Sequence, residues 1–222
     1  MLEIMLAENT KNKIPCLDIE KNTFSVCFLL FGIVTQVATF LYTNDSALSL
    51  ISSISGIVSV ILCSQRKMSF YFLSFLQIIT FAIICYQQRL YGKIIENAFY
   101  FITMLYGLYE WRNHINHEIV QTRKLNSKKW AYCVFQAICG TIVLHSALSL
   151  LGGSSAWLDS ITTTLAIIAQ ILMILRYREN WYFWLIVDIV CVILWFIQGN
   201  YCMMMQYVFW ATNCLYGLYK WN

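Results

Sequence analysis

The sequence predicts an all-α membrane protein of eight transmembrane helices, ordered as one extra helix followed by two parallel three-helix repeats around a linker helix, 1 + (3+1+3). Three observations carry that prediction. The 222 residues are 59% hydrophobic and only 12% charged, with mean hydropathy +0.62. A soluble domain carries about 25% charged residues, so this chain has the bilayer as its solvent. Eight segments approach the roughly 20 apolar residues that a helix needs to cross about 30 Å of hydrocarbon. Finally, one signature closes both halves: Leu-Tyr-Gly-Leu-Tyr-Glu-Trp-Arg at 105–112 and Leu-Tyr-Gly-Leu-Tyr-Lys-Trp-Asn at 215–222.

The spans fall at about 23–42, 46–64, 69–88, 94–111, 131–150, 156–175, 181–199 and 201–220. Residues 1–22 are polar and of mixed charge, lack the basic and apolar regions of a cleaved secretory signal, and read as a cytoplasmic or interfacial segment. Residues 23–45 hold the extra helix, 46–112 the first repeat, 113–155 a basic cytoplasmic loop with the linker helix, and 156–222 the second repeat. The single proline, Pro15, precedes every span, so no proline kink is expected in the helices. Gly152-Gly153-Ser154-Ser155 reads as a flexible outer turn.

Charge sets the orientation. With the N-terminus inside, the inner segments hold Lys11, Lys13, Lys21, Arg66, Lys67, Arg112, Arg123, Lys124, Lys128, Lys129, Arg176, Arg178 and Lys220, and the outer ones only Arg89 and Lys93. Basic residues favour cytoplasmic loops, so both termini are placed in the cytoplasm. Helices 2–4 and 6–8 then run the same way, and helix 5 restores the direction between them. The repeats are parallel, related by an axis along the membrane normal.

Several function classes drop out. The net charge of +4 comes from short connectors, so no nucleic-acid groove is implied. The nine cysteines are an odd number and lie mostly in apolar runs, where a thiol acts as a small hydrophobe. No Cys/His pattern suggests a metal, and His114 and His117 sit in the basic connector. No phosphate loop is present. Nor are paired acids, a His cluster or an activated nucleophile. Neither a cofactor nor an enzymatic activity is expected.

Offsets of 110–111 residues align Tyr71-Phe72 with Tyr182-Phe183, Gln77 with Asp188, Gln87 with Gln198, Tyr100 with Trp210 and Thr103 with Asn213. Substrate sites in repeat-built transporters lie near the midplane where repeats meet, so these positions nominate a site. Asp188 is a carboxylate seven residues into helix 7, about 10 Å from its cytoplasmic end. No Lys or Arg lies deep in a span to pair with it. A charge at that depth marks a wet cavity, a partner or a pathway. Trp181 and Trp184 share its helical face by spacing of three and four. Indole faces attract cations and stack on flat rings, so two indoles beside one acid suit a flat, positively charged aromatic ligand. Gln206, Trp210 and Asn213 on helix 8, Asn97 and Tyr100 on helix 4, and Gln77 on helix 3 add amides and rings for a carboxamide or sugar hydroxyls. Thr162, Thr163, Thr164, Gln170 and Gln36 read as interhelical glue. These residues leave open a carrier of such a flat cationic ligand, a non-transporting scaffold or receptor, and a sugar carrier.

Trp-Tyr-Phe-Trp at 181–184, Asp188, Gln-Tyr at 206–207, Trp210, Asn213 and the closing Tyr-Gly-Leu-Tyr-Lys-Trp resemble the C-terminal half of the PnuC family, the bacterial nicotinamide riboside transporters. The resemblance spans about residues 24–222. It implies a SWEET-like fold, although the Pro-Gln pairs of SWEET and PQ-loop carriers are missing. It also implies facilitated diffusion of nicotinamide riboside, trapped afterwards by a cytoplasmic nicotinamide riboside kinase, and a homotrimer in the bilayer. Related carriers take thiamine or riboflavin. Of the site residues, the motif itself carries over only Trp181 and Trp184.

Overall fold

Proline-free apolar runs separated by short polar turns form eight helices in the computed structural model, which describes residues 23–43, 46–87, 91–116, 119–150, 156–197 and 201–222. The helices are α1 (Thr23–Thr43), α2 (Ala47–Ser64), α3 (Ser69–Gln87), α4 (Tyr91–Arg112), α5 (Ser127–Leu150), α6 (Ala156–Ile174), α7 (Asn180–Ile197) and α8 (Tyr201–Lys220). Segment 1–22 with Pro15, the 152–155 turn, Gln198 and His117 lie outside the described residues. Windows in α1, α2 and α5 are each long and apolar enough to cross a membrane, while α3, α6 and α7 carry shorter apolar runs.

Local sequence sets the helix ends. Ser46 caps α2, its Oγ accepting the Ser49 N–H at 3.1 Å, which satisfies one of the free donors of the first turn. The C-termini of α2 and α6 close in the same way. Arg66 and Arg176 adopt positive φ of 60° and 66°. The Arg66 and Lys67 N–H groups donate to the Cys63 and Leu62 carbonyls, and those of Arg176 and Tyr177 donate to Met173 and Leu172. Both are Schellman closures with arginine where glycine is usual.

Packing follows the sequence order. Helix α2 packs on α3 and α3 on α4; α6 packs on α7 and α7 on α8. The two groups meet reciprocally, α4 on α6 and α8 on α2, while α1 lies against α2 and α5 against α6. Small buried residues on α2 (Ser52, Ser55, Gly56, Ser59) allow close approach, and Ser59 and Ser74 share a hydrogen bond of 2.6 Å between α2 and α3. Between α6 and α4, Gln170 donates to Thr103 Oγ1 at 3.2 Å, an interhelical bond of the kind expected of that residue.

An offset of 110 residues recurs in the geometry. Trp111 Nε1 donates to the Met173 carbonyl at 3.1 Å, and Trp221 Nε1 donates to the Cys63 carbonyl at 3.2 Å. Gly107 lies against Tyr71, and Gly217 against Trp181, where an added Cβ would sit 2.6 and 2.4 Å from the ring substituent and the indole. Both aromatics need a glycine opposite them for lack of space. Tyr71 therefore corresponds to Trp181 and Ile78 to Asp188, one residue away from the Tyr71/Tyr182 and Gln77/Asp188 pairing. The aromatic helix starts match in sequence at either offset; the backbone turns admit only one.

The connector after α4 ties the two closures together. Its short antiparallel pair, β1 (Ile115–Asn116) and β2 (Ile119–Val120), brings the Val120 N–H to the Arg66 carbonyl at 3.2 Å. Farther on, the Arg123 N–H donates to the Arg176 carbonyl at 2.8 Å. The buried Arg176 guanidinium pairs with Glu110 at 2.8 Å and donates to the Gln121 carbonyl at 3.0 Å. A core of Phe70, Tyr71, Trp111, Trp181 and Trp221 fills this end of the molecule.

Candidate functional site

The nominated residues stand on two helix pairs. Trp181, Trp184, Asp188, Gln206, Trp210 and Asn213 lie on α7 and α8; Gln77, Asn97 and Tyr100 lie on α3 and α4.

Asp188 points inward and is only 3% exposed. Its Oδ2 accepts the Cys214 thiol of α8 at 3.3 Å. Cys214 was not nominated, because nothing in the spacing of two separate helices places a thiol opposite an acid. Trp181 is 3% exposed, edge-on to Trp221 at 5.6 Å. That position, with its buried indole N–H unpartnered among the described residues, is not one of an interfacial anchor. Trp184 sits nearly one turn farther along α7, half-buried, where the clusters around Ala169, Val187 and Trp181 meet. It therefore faces the protein and stands on the helical face of Asp188.

On α8, Asn213 is fully buried. It accepts from Ser64 Oγ at 3.3 Å and donates to the Val60 carbonyl at 3.4 Å, so it bridges to α2. Trp210 is half-buried, T-shaped to Tyr207 at 5.1 Å, with its buried indole N–H unpartnered. Gln206 is half-buried about one turn outward from it. The α3–α4 members have partners of their own. The Gln77 amide fills the space beside Gly56 of α2, Asn97 donates to the Ile78 carbonyl at 3.4 Å, and the Tyr100 hydroxyl donates to Glu96 at 3.2 Å. Glu96, the sixth residue of α4, is a further carboxylate within a helix that sequence reasoning passed over. Its place near the helix start masked it.

The α7–α8 members thus offer one buried acid beside a thiol, two indoles on its face and, among the described residues, two indole N–H groups without acceptors, while the Gln77 and Asn97 amides lie against α2 and α3. Groups of these kinds can meet a flat cation with polar substituents. Two open apolar grooves bordering α5, each of about 460 Å³, include none of these residues.

Known proteins resemble the chain as a whole. The family model described as "Nicotinamide mononucleotide transporter" matches residues 46–222. The nicotinamide riboside transporter PnuC of Haemophilus influenzae is 32% identical over 204 residues, covering 90% of this chain and 89% of that one. Its counterpart in Neisseria mucosa is 29% identical, covering 90% and 81%. The crystal structure of the vitamin B3 transporter PnuC superposes with a TM-score of 0.77 at 28% identity, over 91% of this chain and 92% of that one. This multi-pass membrane protein belongs to the PnuC family.

Proposed function

We propose that the chain carries nicotinamide riboside across the bacterial inner membrane by facilitated diffusion, holding it between the two helix groups near the midplane. The observation that carries this reading is the buried Asp188 beside Trp181 and Trp184, in helices whose middle stretches contain no lysine or arginine. The family description names the mononucleotide, whereas the relatives are riboside transporters. A phosphomonoester brings about −1.5 to −2 charges and calls for a guanidinium or ammonium. A carboxylate in its place repels it. The riboside, a cationic pyridinium with a carboxamide and ribose hydroxyls, suits the acid, the indoles and the amides.

In this reading the pyridinium lies near Trp181 or Trp184, and Asp188, Asn213, Asn97 and Gln77 meet polar groups, with Tyr100, Gln206 and Trp210 completing the lining. The eight helices cross the membrane with both termini in the cytoplasm, as the basic connectors favour. The 110-residue recurrence of turns, Trp bonds and glycine contacts supports two parallel repeats. A cytoplasmic kinase draws the flux inward by phosphorylating the product, and the assembly is the homotrimer implied by the resemblance.

The test is direct binding to the purified protein, followed by uptake into vesicles. Nicotinamide riboside should bind without ions or nucleotide, while the mononucleotide, thiamine, riboflavin and glucose fail to compete. Uptake should stop at equal concentrations and resume when kinase and ATP are enclosed. A requirement for a sodium or proton gradient, or mononucleotide binding as tight as that of the riboside, would overturn the proposal.

A further inference from the structure

We propose that the open groove between α5 and α6 holds one acyl chain of an anionic phospholipid, whose phosphate sits against Arg123 and Lys129. The groove is apolar along its length, lined by Leu125, Cys133, Gly140, Leu144, Ile168 and Ile171 among others, with a volume of about 460 Å³. It follows α5 from Lys129 to Leu144, a rise of about 22 Å. One leaflet contributes about 15 Å, half of the hydrocarbon core, so the groove accommodates a chain over a leaflet's full depth.

Its polar end is where the charge gathers. Tyr177 is buried at that end, and two cations approach its ring, the Arg123 guanidinium at 4.8 Å and the Lys129 ammonium at 5.0 Å from the centre. Lys129 also donates to the Tyr177 hydroxyl at 2.5 Å. Both residues are exposed, and neither has a carboxylate within ion-pair distance among the described residues. Glu179, the acid just before α7, is turned inward and accepts the Leu125 N–H at 3.0 Å. Two like charges around one ring repel each other, and an anion between them removes that cost. Lys124 and Lys128, also exposed, extend the positive field. Basic pockets on the cytoplasmic side of a helix pair suit anionic headgroups, and a zwitterionic headgroup neutralises its own phosphate. The assignment rests on the membrane placement proposed above and is independent of the transported substrate.

The experiment is native mass spectrometry of the delipidated full chain with equal amounts of phosphatidylglycerol and phosphatidylcholine of identical chains. Nicotinamide riboside binding is measured in parallel. One phosphatidylglycerol should remain bound with roughly tenfold preference. The Arg123→Gln/Lys129→Gln double variant should bring that preference close to unity. Ile171→Trp, a groove-lining residue 40% exposed, fills the groove and should remove the tight adduct of either lipid. Equal retention of both lipids by the wild type, preference that survives the charge substitutions, or an adduct that survives Ile171→Trp would overturn the proposal. So would loss of oligomer mass in Ile171→Trp with lipid retention unchanged, which assigns the groove to a second copy. Failed riboside binding with lipid preference intact would count against the transport reading and leave the lipid site standing.

Discussion

The two halves of this chain share a framework but not a chemistry. At the 110-residue offset, helix closures, indole-to-carbonyl bonds and glycine-aromatic contacts coincide. The side chains between them do not. Where α7 has Trp181, Trp184 and Asp188, α3 has Tyr71, Ser74 and Ile78. Where α8 has Asn213 and Cys214, α4 has Thr103 and Met104. In the first half Ser59 and Ser74 share a short bond between helices; the corresponding positions in the second half hold Ala169 and Trp184 in one apolar cluster. Symmetry therefore serves the scaffold, and the recognition proposed above is concentrated on α7 and α8.

The largest effect should come from the framework. Arg176→Ala removes the guanidinium from Glu110 and from the Gln121 carbonyl and leaves a partly buried carboxylate with the more distant His114 Nδ1 at 3.8 Å. Breaking such a pair costs about 3 kcal/mol, which for a chain of this size lowers Tm by roughly 6–12 °C. Arg176→Gly should lose about 1 kcal/mol less, since glycine tolerates the φ of 66°. Thermal unfolding in detergent distinguishes the two. Equal Tm values for both variants would remove backbone strain from the account.

Next in size is the indole that only the second half carries. Trp184→Ala should weaken nicotinamide riboside binding by about 2 kcal/mol, roughly thirtyfold in Kd, whereas Ser74→Ala at the equivalent position should change it little. Titration calorimetry reads both directly. Comparable losses in the two variants would mean that recognition is shared evenly between the halves.

Much of this was legible in the sequence, and what was not has a physical cause. Helix number and order follow from apolar runs without proline, and the 110-residue repeat follows from the two closing signatures. The inward placement of Asp188 follows from the cost of a charge in lipid. The register of α3 against α7 was one residue off, because aromatic residues are dense at both helix starts and only the Schellman turns at Arg66 and Arg176 fix the count. Those turns resisted reading because arginine replaces the glycine that ordinarily signals them. The Cys214 thiol on Asp188 and the Arg176–Glu110 pair join residues from different helices, and no local pattern encodes such meetings.

Asp188 sharpens the comparison by charge alone. Asp188→Asn keeps the shape and an acceptor for Cys214 while removing the negative charge. Riboside affinity should fall about tenfold. The uncharged dihydro form of the riboside should bind with nearly unchanged affinity. A parallel loss for both ligands would make Asp188 a hydrogen-bonding residue and not a counter-ion.

The smallest effect tests whether the framework is as symmetric as it looks. Trp111→Phe removes one N–H donor to the Met173 carbonyl, and Trp221→Phe removes one donor shared between the Cys63 and Ser64 carbonyls at 3.2 and 3.1 Å. Met173 and Cys63 keep the Arg176 and Arg66 N–H bonds, so of the three carbonyls only that of Ser64 loses its Trp221 donor without another backbone donor among the described residues. Each substitution should cost about 1 kcal/mol, or a Tm fall of about 2–4 °C. The two rings touch, with centroids 5.6 Å apart, so the double variant should fall short of or exceed the sum by a measurable coupling. If one tryptophan carries the whole loss and the other none, the reciprocal bonds are not equivalent clasps. One half would then hold the other without being held in return.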